Sequence, residues 1–150
     1  MAFNIKSTLK RLQSLSAALG GIKNVLIGEP KQPPPDLSTA IWMNNSRIVA
    51  IMAGGDTVEV HMVTVRFYKD MLGEPTEGIE LGLADAAARL AEDWLGDYDL
   101  GGTIRCIDAG GIYGQGVTTT WGYVDVSGKM HRVVDIDIPM IVDASAVLVQ

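Results

Sequence analysis

The chain has 150 residues, a formal net charge of −6, 47% hydrophobic and 20% charged residues; that suits a single domain over residues 1–150 and excludes a disordered chain. No apolar run approaches the ~18 residues that a membrane span needs, so no membrane partner is expected. Cys106 is the only cysteine, which excludes an internal disulfide and a cysteine-based zinc cluster and fits a reducing cytoplasm.

Charge is unevenly spread. Residues 1–31 carry five basic groups against one acidic group, a net of +4, while residues 32–150 carry seven basic and seventeen acidic groups, a net of −10. An acidic body repels phosphate, so DNA is expected only as a passing duplex contacted without sequence preference. The N-terminus lacks the apolar core of a secretory signal. Lys6, Lys10 and Arg11 among serines faintly resemble a mitochondrial transit peptide, but the helical pattern running on from them favours a structured element.

In chain order, Ile5, Leu9, Leu12 and Leu19 share one side of a helical wheel with Lys6, Lys10, Gln13 and Ser14 opposite, which predicts an amphipathic helix over 3–19. Gly20-Gly21 stops it. Such a basic helix is either a docking or membrane-surface element or, the plainer expectation, a helix laid on its own sheet. A short strand at Val25-Leu26-Ile27 follows, then the rigid proline-rich loop 28–37 and a second strand at 39–43. Residues 57–69 are β-branched and aromatic without glycine or proline, and predict a long strand of roughly 40 Å. Val58, Val60 and Met62 alternate with Glu59 and His61. Beyond them Val63, Val65 and Phe67 turn apolar groups to the other face, as in a strand covered by a helix at one end and by another subunit at the other.

A turn-rich connection at 70–78 leads to Ile79, Leu83, Ala86, Ala87, Leu90, Ala91 and Trp94 on one face of a second helix, with an Asp85–Arg89 pair opposite and Gly96 at its end. Strands are expected at 103–109, 118–126 and 130–142, the last two joined by Ser127-Gly128-Lys129 as a hairpin. In the final strand Val134, Ile136, Ile138 and Met140 alternate with Asp135 and Asp137, giving one buried and one acidic face, and Pro139 indicates a sheet edge or bulge. The class is therefore α+β: a mixed, mostly antiparallel sheet of about five to six strands carrying two helices, with a long strand and a C-terminal hairpin.

The sequence supplies little chemistry. Of the two histidines, His61 lies near Glu59 and His131 near Val133, and no Gly-x-Ser-x-Gly elbow appears. Glu59, His61, Asp135 and Asp137 would converge on a metal only if their strands paired; a solvent-facing polar row is the simpler account. The glycines of 110–116 precede a strand-like Val117–Thr120 rather than a helix, so the loop is not read as a phosphate cradle. Cys106 is expected as a small core residue. No catalytic, cofactor or metal residue is assigned, and no enzyme activity is expected.

The order helix, strand, proline-rich loop, Ala40-Ile41-Trp42-Met43, long strand ending Val65-Arg66-Phe67-Tyr68, helix, Leu100-Gly-Gly-Thr-Ile-Arg-Cys-Ile-Asp108, Gly122-Tyr123 and Arg132–Pro139 resembles the tail terminator proteins of long, non-contractile-tailed bacteriophages over nearly the whole chain. The resemblance implies a structural virion protein made in the host bacterial cytoplasm. It would form a six-fold ring at the head-proximal end of the tail tube, ending tube polymerisation and meeting the head–tail connector or neck protein. Contact residues are not carried over from the family. From the pattern here, Val63, Val65, Phe67, Tyr113, Gln115 and Trp121 are candidates for subunit and tube contacts, and Asp125, Asp135, Asp137 and Asp143 for an acidic lumen that does not hold DNA. The long strand and the hairpin of 118–142 are candidates for one contact patch, the loops 28–37 and 70–78 for the other. A head–tail adaptor on the connector side and a small enzyme or ligand-binding domain are the competing classes.

Overall fold

The computed structural model describes residues 5–17, 24–34, 37–71, 75–96, 100 and 104–145. Its elements run α1 (Ile5–Ala17), β1 (Asn24–Ile27), β2 (Ser38–Ile51), β3 (Asp56–Asp70), α2 (Thr76–Gly96), β4 (Cys106–Ile107), β5 (Thr118–Val126) and β6 (Lys129–Ser145). The strands make one mixed sheet in the order β1-β2-β3-β6, with β4 and β5 both on β6. Only the β1–β2 pair is parallel. The α+β class expected from the sequence is the class observed.

β3 is paired with β2 on one side from Thr57 to Tyr68 and with β6 on the other over its whole length, from Asp56↔Ser145 to Asp70↔His131. Side chains alternate across a strand, so Val63, Val65 and Phe67 share a face with Val134, Ile136 and Ile138 opposite them. This face carries α1 and α2. Leu12 of α1 and Ile79, Leu83, Leu90 and Trp94 of α2 join these strand residues in the main core. Val63, Val65 and Phe67 are each 0% exposed, so no part of them is left for a neighbouring copy, and the interface expected there is corrected. The apolar groups that sequence alternation assigned to another subunit are the floor beneath the chain's own helices.

Among the described residues no helix covers the opposite face, yet it is not open. At one end the proline-rich loop reaches across to the β5–β6 turn, where the Ser127 hydroxyl donates to the Lys31 carbonyl at 3.0 Å. Beneath that end a second cluster forms from Ala40, Tyr68, Val126 and Val133. At the other end the loop 108–117 crosses the sheet. The buried Asp108 carboxylate curls this loop by accepting the N–H groups of Ile112 at 2.7 Å and Tyr113 at 3.1 Å. Gly111, at φ 77°, makes the turn, and a Cβ there would sit 2.4 Å from the Gly114 carbonyl oxygen, so no other residue fits. Arg47 on β2 then donates to the Tyr113 carbonyl at 2.6 Å, while the Tyr113 phenol lies beside Arg105, next to β4. The loop thus spans β3 and β6.

Three further expectations are corrected. Pro139 lies in β6, an inner strand, opposite Met62 of β3. Its carbonyl accepts the Asp108 N–H at 2.9 Å, so its donorless nitrogen points to the same side, at the seam between the last β5 partner, Asp137, and the first β4 partner, Met140. A proline costs no ladder bond at such a seam. The strand expected over 103–109 is two residues long, Cys106–Ile107, with 101–103 outside the described residues; Cys106 itself is only half-buried. The strand begun at 39–43 continues to Ile51 through two register shifts, Met43/Asn45 and Ile48/Ala50, which hid its period-two pattern. The helix expected over 3–19 is described over Ile5–Ala17, and Leu19 lies outside the described residues.

Phe67→Ala should lower unfolding stability by about 3–5 kcal/mol, read as a lower urea midpoint with an unchanged m-value; a change below about 1 kcal/mol would place Phe67 outside the core.

Candidate assembly interface

Between the two crossing loops the helix-free face shows a polar window. At its centre Arg66 of β3 donates to both carboxylate oxygens of Asp135 on β6, at 2.6 and 2.8 Å. The register forces the meeting, because Arg66 and Asp135 are direct cross-strand partners. The guanidinium also lies 5.0 Å from the centre of the Trp42 ring and 5.9 Å from that of Tyr68, a geometry that adds cation–π attraction. The hydrogen bonds to Asp135 hold Arg66 above its ordinary ionisation range against the opposing effect of burial. Burial raises Tyr68, with Arg66 opposing. Beside this pair Asn44 donates to Thr64 at 3.0 Å and Thr64 donates to Asp137 at 2.6 Å.

The four acidic candidates therefore differ. Asp135 is neutralised by Arg66, and Asp137 accepts from Thr64 in a half-buried setting. Asp143 is exposed but ion-paired with Arg105, which it raises. Asp125 is exposed and accepts the Gly128 N–H in the β5–β6 turn. Two of the four acids, Asp135 and Asp143, are thus compensated by arginines, and the other two are held by a hydroxyl and a backbone N–H.

A second arginine clamp stands on the helix-bearing face at the sheet margin. Arg132 of β6 donates to Glu80 of α2 at 2.6 Å, which raises Arg132, and packs 5.6 Å from the ring centre of Trp121 and 4.5 Å from that of Tyr123 on β5. Trp121, at 39% exposure, Tyr123 at 60% and Met130 at 46% bring together residue types concentrated at the centres of protein interfaces. At the opposite corner the β2–β3 hairpin ends in Ile48, Ile51 and Met52, each more than half exposed. The sequence had marked Trp121. It covered Tyr123 only as part of the 118–142 hairpin and did not mark the β2–β3 tip, whose exposure depends on how far the ribbon extends past its neighbours. Tyr113 is half-buried and Gln115 exposed, with Gln115 bonded to Thr118 at 2.6 Å.

Glu59 and His61 are not the solvent-facing row expected of them. His61 is 8% exposed; it meets Glu59 at 2.8 Å through Nε2 and the Ser46 hydroxyl at 2.7 Å through Nδ1. Thr57 completes the line by donating to Glu59 at 3.1 Å. Carboxylate, imidazole and hydroxyl in series are the parts of a nucleophilic triad. A nucleophile also needs a cleft and an oxyanion site, whereas Ser46 stands mid-strand between exposed Asn45 and Arg47. The series acts as a cross-strand lock of β2 on β3. A joint metal set is corrected by the register: His61 faces Met140 while Asp137 faces Thr64, on opposite sides of the sheet. Among the described residues no group of three or more His, Cys, Asp or Glu side chains could hold a metal, and no helix is long and apolar enough to cross a membrane. A small apolar recess lies elsewhere, under α2, lined by Ala91, Trp94, Ile107, Val117, Ile136 and Ile138.

The mixed sheet and the two helices on one of its faces define an α+β protein. No protein-family model matches the chain, and no curated protein matches it.

Asp135→Ala should cost about 1.5–3 kcal/mol, the range of a hydrogen bond to a charged group, because it strands Arg66 between two aromatic rings. Arg66→Met/Asp135→Leu should recover much of that loss. Denaturant titration of the single and double variants checks both; equal stability of Asp135→Ala and the native chain would remove the clamp as a structural element.

Proposed function

We propose that this protein is a structural virion protein resembling tail terminators: a ring, six-fold in the resembled family, at the head-proximal end of a long, non-contractile phage tail tube. The ring ends tube polymerisation and joins the tail to the head connector. The observation that carries this reading is the pair of unlike surfaces on one sheet. The β5 margin is aromatic and arginine-bearing, with Trp121, Tyr123 and Arg132, whereas the β2–β3 tip is aliphatic, with Ile48, Ile51 and Met52. Closed rings are built from heterologous contacts, which require two different complementary patches on each subunit. A ring that covers the exposed groups at a growing tube end and presents a different upper face makes further addition unfavourable.

The net charge of −6 supports a lumen from which DNA passes freely, with Asp143 as the exposed acid and Asp135 and Asp137 set into the wall of the same sheet face; Asp125, opposite Met130, shares the other face with Trp121 and Tyr123. The compensation of Asp135 by Arg66 makes that repulsion modest, which suits a passage for a moving duplex.

Purified full-length protein added to polymerising tail-tube protein should stop elongation, leaving tubes capped at one end by a ring visible in electron micrographs. Binding to the isolated connector with no effect on tube length would assign the protein to the adaptor class instead. Tubes that grow unchanged, with no ring in either place, would overturn the reading.

A further inference from the structure

We infer that neighbouring copies join head to tail by pairing the free edge of β5 with the free edge of β2, so that the sheet continues from one copy into the next. This rests on the proposed ring and names the surfaces that close it. β1 covers β2 only from Ser38 to Ile41, and among the described residues nothing pairs with β2 beyond that point. Among the described residues β5 pairs only with β6, so within them its outer side is free as well. Both edges belong to one sheet and lie on opposite margins of it.

The direction of the backbone groups follows from the ladder. Pro139 and Ile141 carbonyls accept from Asp108 and Arg105 on the β4 side, so the odd-numbered residues of β6 point to that margin. Their β5 partners Thr118, Thr120 and Gly122 point back at them, which leaves Thr119, Trp121 and Tyr123 with N–H and C=O directed outward. From Thr118 to Val124 this edge holds no charge, no proline and no register shift, the devices by which exposed edges are normally protected. On β2 the two register shifts bracket Asn45–Ile48, and there Ser46 and Ile48 point outward. The bulges set where added pairing stops.

Charge decides which partner β5 takes. α1 lies over β1 and β2 and carries exposed Lys6, Lys10 and Arg11 with no acidic residue. α2 presents exposed Glu77 and places Glu80 beside β5 through Arg132. Pairing β5 with a second β5 would bring two acidic helix ends together, whereas pairing it with β2 brings a basic helix toward an acidic one. The stagger sets the tilt. The centre of β5, Gly122, is level with Val133, Tyr68 and hence Ser38, while the free stretch Asn45–Ile48 of β2 lies six to nine residues further along β3. At about 3.3 Å per residue that is roughly 20–30 Å, across four strand spacings of about 4.8 Å, so continuing the sheet tilts the strands steeply, by about 45–57°. Only the low end of that range meets the tilts of about 35–45° that closed sheets adopt.

Two variants block one edge each. Thr119→Pro removes an outward donor from β5 and Ile48→Pro one from β2, and neither removes a bond inside the subunit's own ladder. By native mass spectrometry and sedimentation of full-length protein, alone and on tube ends, the native chain should form a closed ring, and each variant alone should stay monomeric. Mixed, they should form a 1:1 dimer and nothing larger, since each supplies the edge the other lacks. Where circular dichroism shows that a proline variant is unfolded, Trp121→Glu and Ile48→Glu, at exposed positions, replace the pair with the same expected outcome. Assembly of either blocked variant to native size would overturn the edge pairing while leaving the ring intact, and a dimer as the native end state would do so in favour of β5 self-pairing. A native chain that forms no closed species even on tube ends would remove the proposed function as well.

Discussion

The structure depends on β3 being paired on both sides, with β6 along its full length and with β2 from Thr57 to Tyr68. A central strand must satisfy its neighbours on both margins and bury side chains on both faces, and β3 meets these demands differently on each side. Towards the helices it presents Val63, Val65 and Phe67, all buried. On the other face it presents Val58, Val60 and Met62 and then Thr64, Arg66 and Tyr68, a run that turns from apolar to polar midway. The apolar half lies level with the crossing loop of Tyr113, and the polar half carries the Arg66–Asp135 clamp. Without both covers the sheet would expose a long apolar ribbon to solvent.

Loops do on one face what helices do on the other. A helix satisfies its own backbone before it packs, but a loop laid over a sheet must find partners for its polar groups. Here the Asp108 carboxylate, the Arg47 guanidinium and the Ser127 hydroxyl supply them. Each partner comes from a different part of the chain, so both loops tie the margins of the sheet together. The margins themselves then remain the places where backbone groups and large apolar side chains are still free to meet another chain.

Much of this was legible in the sequence, and the failures have a common cause. The amphipathic pattern of Ile79 to Trp94, the β-branched run of 57–69 and the glycine turn at 127–129 each report local periodicity, and each became the element it implied. Ser127 and Gly128 both adopt positive φ, 50° and 87°, as a tight hairpin turn requires. What periodicity does not contain is the identity of the covering element. Alternation distinguished the two faces of β3 but did not say which would receive helices, so Val63, Val65 and Phe67 were assigned to a neighbour. Likewise Ser46 met His61 only because a bulge at Asn44 shifted the parity of β2, and Arg66 met Asp135 only through a register that neither strand specifies alone.

The same limit explains why the surfaces were harder to find than the core. A buried position is over-determined, since volume, polarity and period all point to it. An edge is defined by what fails to pair with it, which depends on where β1 ends and where β5 stops along β6. Once those endpoints are fixed, the uncharged, unbulged run from Thr118 to Val124 becomes unusual, because isolated domains protect such edges. A chain that leaves one flat edge unguarded and bulges the other, while placing basic residues over one margin and acidic residues near the other, has the asymmetry that the proposed head-to-tail repetition requires.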